Sequence, residues 1–195
     1  MFPNLQLAIV SGPMRPNAGL LTWATRFDHW RLWPTGRFED HLAARRNALV
    51  AWFLAETDLA ALWMIDADMV PIDRETALRL GVGPTEALAE TSAHAGSCRY
   101  IGRPGEVAHG HGLAAGCLLA SRVLLAAMGP PWFRFGYDAD HTALTECECR
   151  WFTRRARGAK LALPIQLETA GTIAHAGIGA IYPDADGRPA VLFAP

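Results

Sequence analysis

Leu62-Trp63-Met64-Ile65-Asp66-Ala67-Asp68-Met69-Val70-Pro71 is the stretch whose reading decides the fold. Its apolar run shows no polar alternation, the pattern of a strand covered on both faces in the middle of a parallel sheet. The polar end of such a strand lies at the carboxyl edge of the sheet, where open α/β folds bind ligands. Asp66 and Asp68, leaving the strand one residue apart, can point both carboxylates at one hard divalent cation, directly or through water. A cation held by two protein carboxylates completes its shell with substrate phosphates. The alternative is a turn in which the aspartates cap a following helix.

Asp-Ala-Asp recurs at Asp138/Asp140 and at Asp184/Asp186. The last pair sits among Pro183, Gly187 and Pro189, which describe a surface turn. The middle pair follows Phe135-Gly136-Tyr137 in a polar loop. Only Asp66/Asp68 is launched from a buried strand.

Upstream, Leu5 to Val10 reads as a first strand ended by Ser11-Gly12-Pro13. Such a loop at the start of an α/β chain can wall a nucleotide site, so Val10, Ser11 and Gly12 are candidates for it. The stretch from Arg15 to Gly36 reads as irregular and aromatic. Its rings (Trp23, Phe27, Trp30, Trp33) either pack over the sheet edge or stack on a base. Glu39 to Glu56 is helical, with Leu42, Leu49, Val50 and Phe53 on one face, and Arg45, Arg46 and Asn47 lie mid-helix. The resulting β-α-β order favours a parallel sheet with a right-handed crossover.

Downstream, a helix is expected over Ile72 to Leu80 and a loop over Gly81 to Ser97. A strand follows around Cys98 to Ile101, then a small-residue loop holding His109 and His111. Leu113 to Ala120 is apolar, and Ser121 caps a helix to Met128 that Gly129-Pro130-Pro131 stops. Another helix is expected from Thr145 to Arg157, then a strand over Leu161 to Leu167.

A chain of 195 residues, 51% apolar and 19% charged, reads as one domain, 1–195, with enough core to fold alone. A net charge of −1 gives no bulk attraction to nucleic acid or anionic membrane. Cys98, Cys117, Cys147 and Cys149 lack Cys-x-x-Cys spacing, and Cys147 and Cys149 read as too close for an ordinary disulfide. A reduced, cytoplasmic setting is therefore expected. No run approaches membrane-spanning length, and Met1-Phe2-Pro3-Asn4 lacks the basic start of an export signal.

Several of these motifs, in this order, resemble those of nucleotide-sugar glycosyltransferases of the glycosyltransferase-A fold, especially small family-2-like bacterial and phage members. Leu62 to Pro71 resembles their Asp-x-Asp segment, and Arg46-Asn47 their Ala-Arg-Asn element. Gly116 to Arg122 followed by Gly129-Pro130-Pro131-Trp132-Phe133 is similar to their glycine-rich strand, helix and Pro-Trp-Phe turn. Glu148-Cys149-Arg150-Trp151-Phe152 sits where they carry Glu-Asp-x-x-Phe and a basic helix. Glu168 to Gly177 resembles their terminal Gly-His-x-Gly segment.

The resemblance implies one Rossmann-like glycosyltransferase-A domain, with a mixed, mainly parallel sheet flanked by helices. It implies transfer of a sugar from a UDP- or GDP-linked donor to a glycan or other hydroxyl acceptor, with no nucleic-acid partner. Asp66, Asp68 and His175 would hold Mn²⁺ or Mg²⁺, and Arg46 and Ala67 would line the donor site. Gly116, Trp132 and Phe133 would contact substrate, and Glu148 would activate the acceptor. The chain departs from the pattern at Cys149, which replaces the aspartate proposed as base in many such enzymes. A thiol is a poorer base there.

Two other classes fit part of the pattern. One is a non-catalytic nucleotide- or sugar-binding domain of the same fold. The other is a haloacid-dehalogenase-like phosphatase, which also opens on an apolar strand and Asp-x-Asp-x-Val. That class needs a lysine before a later acidic pair, whereas Lys160 follows Asp138 and Asp140.

Overall fold

The β-strand that ends at Asp66 lies inside a seven-stranded mixed sheet. The structure is a computed structural model. It describes residues 4–11, 16, 18–33, 42–71, 93–100, 113, 115–161, 165–175, 179–183 and 189–193. β1 (Leu5–Val10) runs parallel to its two neighbours, β2 (His29–Trp33) and β3 (Ala61–Asp66). The remaining members are β4 (Met69–Pro71), β5 (Ala93–Tyr100), β6 (Cys117–Ser121) and β9 (Ile165–His175). The order across the sheet is β2-β1-β3-β6-β5-β9-β4. β5 and β9 pair in parallel, and β6 enters antiparallel between β3 and β5. Short hairpins β7 (Gly136–Tyr137) with β8 (Leu144–Glu146) and β10 (Gly179–Pro183) with β11 (Pro189–Phe193) stand apart from it.

Side-chain alternation divides the core in two. Ala8, Val10, Leu62 and Met64 face α2 (Leu42–Glu56), α3 (Arg122–Met128) and α4 (Glu148–Arg157). Leu5, Leu7, Ile9, Ala61, Trp63 and Ile65 face α1 (Ala18–Ala24) and Phe27. Both faces of β1 and β3 are therefore dry, as their unbroken apolar sequences require. Burying each large apolar side chain contributes about 1.5–3 kcal/mol. The mixed α/β sheet flanked by helices is the expected Rossmann-like class.

Local expectations differ in three described places. Residues 18–24 and 29–33 are regular, as α1 and β2: Leu20, Trp23 and Ala24 have the i, i+3, i+4 spacing of one helix face, and Phe27 follows in the turn. Trp23 and Phe27 stand edge-on to Trp63 at 5.3 and 5.8 Å, so these rings belong to the core. Residues 93–97, expected as loop, are buried in β5, where small side chains lie between β6 and β9. The last helix starts at Glu148 rather than Thr145, because residues 144–146 pair with β7. Ser121 caps α3 as its position suggests, its Oγ accepting from Leu124 N at 3.3 Å. The expected helix over 72–80, His109, His111, Asp184 and Asp186 lie outside the described residues.

Candidate functional site at the end of the third strand

Arg46 is the largest departure from surface logic. Ala43, Arg46, Val50 and Phe53 recur every three or four residues along α2, so the guanidinium projects from the apolar face. Arg46 is 0% exposed. Its Nη2 donates to both carboxylate oxygens of Asp66, at 2.8 and 2.7 Å. Its Nη1 donates to Glu148 Oε1 at 2.6 Å. One cation thus joins the end of β3 to the first turn of α4. A buried charge without a partner is very costly, and this pairing is what makes an inward-facing arginine tolerable.

Burial pushes the Asp66 carboxyl above the ordinary carboxylate range; Arg46 opposes that shift, and the nearby charges of Asp68 and Glu148 reinforce it. Glu148 is nearly buried, and among the described residues only its Oε1 has a hydrogen-bond partner. Glu146, two residues earlier, points elsewhere. It takes a bidentate contact from Arg154 Nε and Nη2 at 3.0 and 2.8 Å, and those hydrogen bonds hold its carboxyl below the usual range.

The edge beside Asp66 is built from backbone. Asp66 N donates to Gly116 O at 2.9 Å, and Ala67 N donates to Val10 O at 3.0 Å. Ser11 N and Oγ both donate to Trp33 O at 3.3 Å. Val10, Ser11, Asp66, Ala67 and Gly116 therefore meet at one edge, with Ala67 buried and Asp68 half-buried. Gly12 lies outside the described residues. The register of β4 and β9 sets the backbone of His175 opposite Met69, the residue after Asp68.

Among the described residues, no three His, Cys, Asp or Glu side chains cluster as a ready metal cage. The donors at the strand end still fit a hard cation. Each Asp66 oxygen that accepts from Arg46 keeps a second lone pair, and carboxylate oxygen suits Mg²⁺ and Mn²⁺.

Two expectations are corrected here. Trp132 and Phe133 do not form an exposed surface: they are 6% and 1% exposed. Trp132 Nε1 donates to Leu125 O at 2.7 Å, and the Phe133 ring stacks on Phe152 at 5.1 Å. Asn47 fixes this segment, its Nδ2 donating to Phe133 O at 2.8 Å and its Oδ1 accepting from Phe133 N at 2.9 Å. Both rings belong to the core cluster packed with α2, α3 and α4, and the Phe133 ring lies 5.8 Å from the Arg46 guanidinium. Cys147 and Cys149 are joined as a disulfide. Extended backbone at Cys147, followed by the first helical turn, sets their Cα atoms 5.4 Å apart, within bridging range. Cys149 therefore offers no thiol as a base.

The bridging role of Arg46 and the clamp made by Asn47 were not recognised from the sequence. The signal was present: Arg46 falls on the apolar stripe of its helix, and a buried arginine demands carboxylates.

No protein-family model matches the chain, and no curated protein matches it. Among solved structures, the crystal structure of A197 from STIV is similar over 97% of this chain and 94% of that one, at TM-score 0.57 and 15% identity. That likeness shows the fold alone. A glycosyltransferase involved in the glycosylation of the major capsid of PBCV-1 aligns over 65% of this chain and 68% of that one, at TM-score 0.35 and 10% identity. A likeness that low carries no argument.

Proposed function

We propose that the chain is a metal-dependent glycosyltransferase, moving a sugar from a UDP- or GDP-linked donor to a hydroxyl acceptor. The whole of 1–195 would form one glycosyltransferase-A-like domain. The observation that carries this reading is the buried Asp66–Arg46–Glu148 bridge, which ties the donor-side carboxylate at a strand end to the acceptor-side carboxylate on α4. The order of motifs that resembles this enzyme group supports the same assignment.

In this reading Asp66 and Asp68, with His175 from β9, hold Mn²⁺ or Mg²⁺ against the donor diphosphate. When bound, the ion stabilises the negative charge that develops on the leaving diphosphate. Val10, Ser11, Ala67 and Gly116 wall the nucleotide side of the edge. Arg46 holds Asp66 and Glu148 in fixed orientation and offsets the repulsion between them. Glu148 Oε2 takes the proton from the acceptor hydroxyl or positions that hydroxyl for attack. Phe133 and Trp132 act through packing, by holding α4 and Arg46 in place.

A phosphatase that forms a phosphoaspartate needs an aspartate oxygen presented as nucleophile. That class also needs a lysine beside the aspartate, and Lys160, the only lysine of the sequence, follows the far end of α4, which opposes the phosphatase reading. A screen of UDP- and GDP-sugars with Mn²⁺, scored by released nucleoside diphosphate, tests the proposal. Release that requires metal and is lost in Asp68→Asn is expected. Metal-dependent nucleotide binding without release under any donor and acceptor would favour the non-catalytic binding domain.

A further inference from the structure

The far end of α4 carries a feature that the proposed transfer does not use. Residues 150–160 hold five cations (Arg150, Arg154, Arg155, Arg157, Lys160) and no acid, in a chain whose net charge is −1. Arg150, Arg154 and Arg157 are exposed and recur at i, i+4 and i+7, which is one helix face. Like charges at that spacing repel one another and weaken a helix. The helix end offsets this for Arg154 and Arg157, which lie in its last turn, but not for Arg150.

Beside this face, where α3 and α4 end together, lies a groove of about 540 Å³ whose polar lining is Arg154, Arg155 and Lys160. Two of these are already fixed in place. Arg155 Nη2 donates to the carbonyls of Met128 and Gly129 at the end of α3. Arg154 is gripped by Glu146 and lies 4.7 Å from the Trp151 ring. Those contacts use Nε and Nη2 of Arg154, leaving Nη1 able to donate. Helix-end carbonyls explain Arg155, since cations are favoured at helix C-termini. They do not account for Arg150, in the first turn, or for Lys160, beyond the helix end; neither forms an ion pair with a described residue.

We propose that this groove binds a phosphoryl anion, a phosphomonoester or diphosphate, between Arg154, Arg155 and Lys160. The guanidinium N–H groups those contacts leave over, Nη1 of Arg154 and Nη1 of Arg155, can each donate to a phosphate oxygen, and the lysine adds a mobile point charge. Arg155, held by the two carbonyls at the end of α3, is ordered before binding, which lowers the cost of capture. The groove lies seven residues along α4 from Glu148, roughly 10 Å at the helical rise, so it is separate from the candidate transfer site. It does not depend on the transferase reading.

The test is an amide NMR titration with inorganic pyrophosphate in metal-free, low-salt buffer, on the wild type, Arg154→Ala/Lys160→Ala and Arg31→Ala. Saturable shifts confined to 127–129 and 154–160 are expected, with at least tenfold weaker binding in the double variant and none lost in Arg31→Ala. Asp68→Asn should keep the same shifts, which separates this groove from the strand-end site. Lys160→Glu serves in place of the double variant if that chain does not fold. Cosedimentation with phosphatidic acid vesicles, against phosphatidylcholine alone, distinguishes a lipid headgroup from a free phosphate. Binding to those vesicles alone, lost in the groove variants, would place the phosphoryl group on a lipid. Binding to neither probe, or binding that survives loss of Arg154 and Lys160, would overturn the proposal.

Discussion

Asp66-Ala67-Asp68 and Asp138-Ala139-Asp140 are the same three residues in opposite circumstances. The first follows a strand buried on both faces, and its leading carboxylate is locked to a fully buried arginine. The second lies in the exposed loop between β7 and β8. There Asp138 Oδ1 accepts from Thr142 N at 2.7 Å and Ala143 N at 3.1 Å, and Oδ2 accepts from Thr142 Oγ1 at 2.9 Å. Burial raises the Asp66 pKa, whereas hydrogen bonds from Ala143 and Thr142 lower that of Asp138. The comparison teaches that a carboxylate pair acquires a role from the element that delivers it. One tripeptide orders its own loop, and the other joins three elements.

The sharpest way to break the contrast is to remove the cation that makes the first pair special. Arg46→Met should cost about 3–5 kcal/mol, because Asp66 and Glu148 would remain close and uncompensated. Urea melts would read this, and a change under about 1 kcal/mol would show that the bridge is not what holds α2, β3 and α4 together.

Next in size is the Glu148 arm of the bridge, the proposed base. Glu148→Gln should lower turnover by roughly 10²-fold with nucleotide binding retained, while Glu146→Gln should be nearly silent. Steady-state kinetics on both variants decide it. Loss in Glu146→Gln alone would mean that the half-buried Glu146 is the working one.

A smaller effect separates the two tripeptides directly. In calorimetry with UDP or GDP plus Mn²⁺, Asp68→Asn should weaken binding by at least about tenfold, roughly 1.4 kcal/mol. Asp140→Asn should leave the isotherm unchanged. Equal losses would dissolve the distinction between the strand-end pair and the loop pair.

The mildest test is titration of the side-chain carboxyls by carbon NMR. Asp66 should titrate above and Asp138 below the ordinary value of 3.8. The signs for stability are opposite. A raised folded pKa means that the Asp66 contribution falls as pH rises from the ordinary value through the raised one. A lowered one means that Asp138 contributes above the ordinary value and loses that contribution as pH falls through the depressed one. Glu146 shares the sign of Asp138; its pair with Arg154 is largely solvated and is worth no more than about 1 kcal/mol. Reversal of the Asp66 and Asp138 order would contradict the burial argument.

Much of the site was legible before any coordinates. An apolar run with no alternation has only one comfortable place in an α/β sheet, so Leu62 to Ile65 marked the buried strand and Asp66 its polar end. Ser121 marked a helix start through capping chemistry. The short helix at Ala18 was obscured because seven residues give little periodicity against a dense aromatic background. β5 was obscured because Ala93, Ala95 and Gly96 show none of the branched side chains that usually announce a strand.

The sequence alone determined the alternation of buried and capped segments, the carboxylates at the end of the third strand, and hence the α/β class. These follow from interactions within a few residues, where spacing and side-chain chemistry suffice. Tertiary structure alone decided that Arg46 turns inward to Asp66 and Glu148, 20 and 102 residues away. It also decided that Trp132 and Phe133 sink into the core, and that the alternating side chains of each strand meet different helices. A buried charge has to find its counter-charge wherever the packed chain brings one, and no local pattern contains that distance.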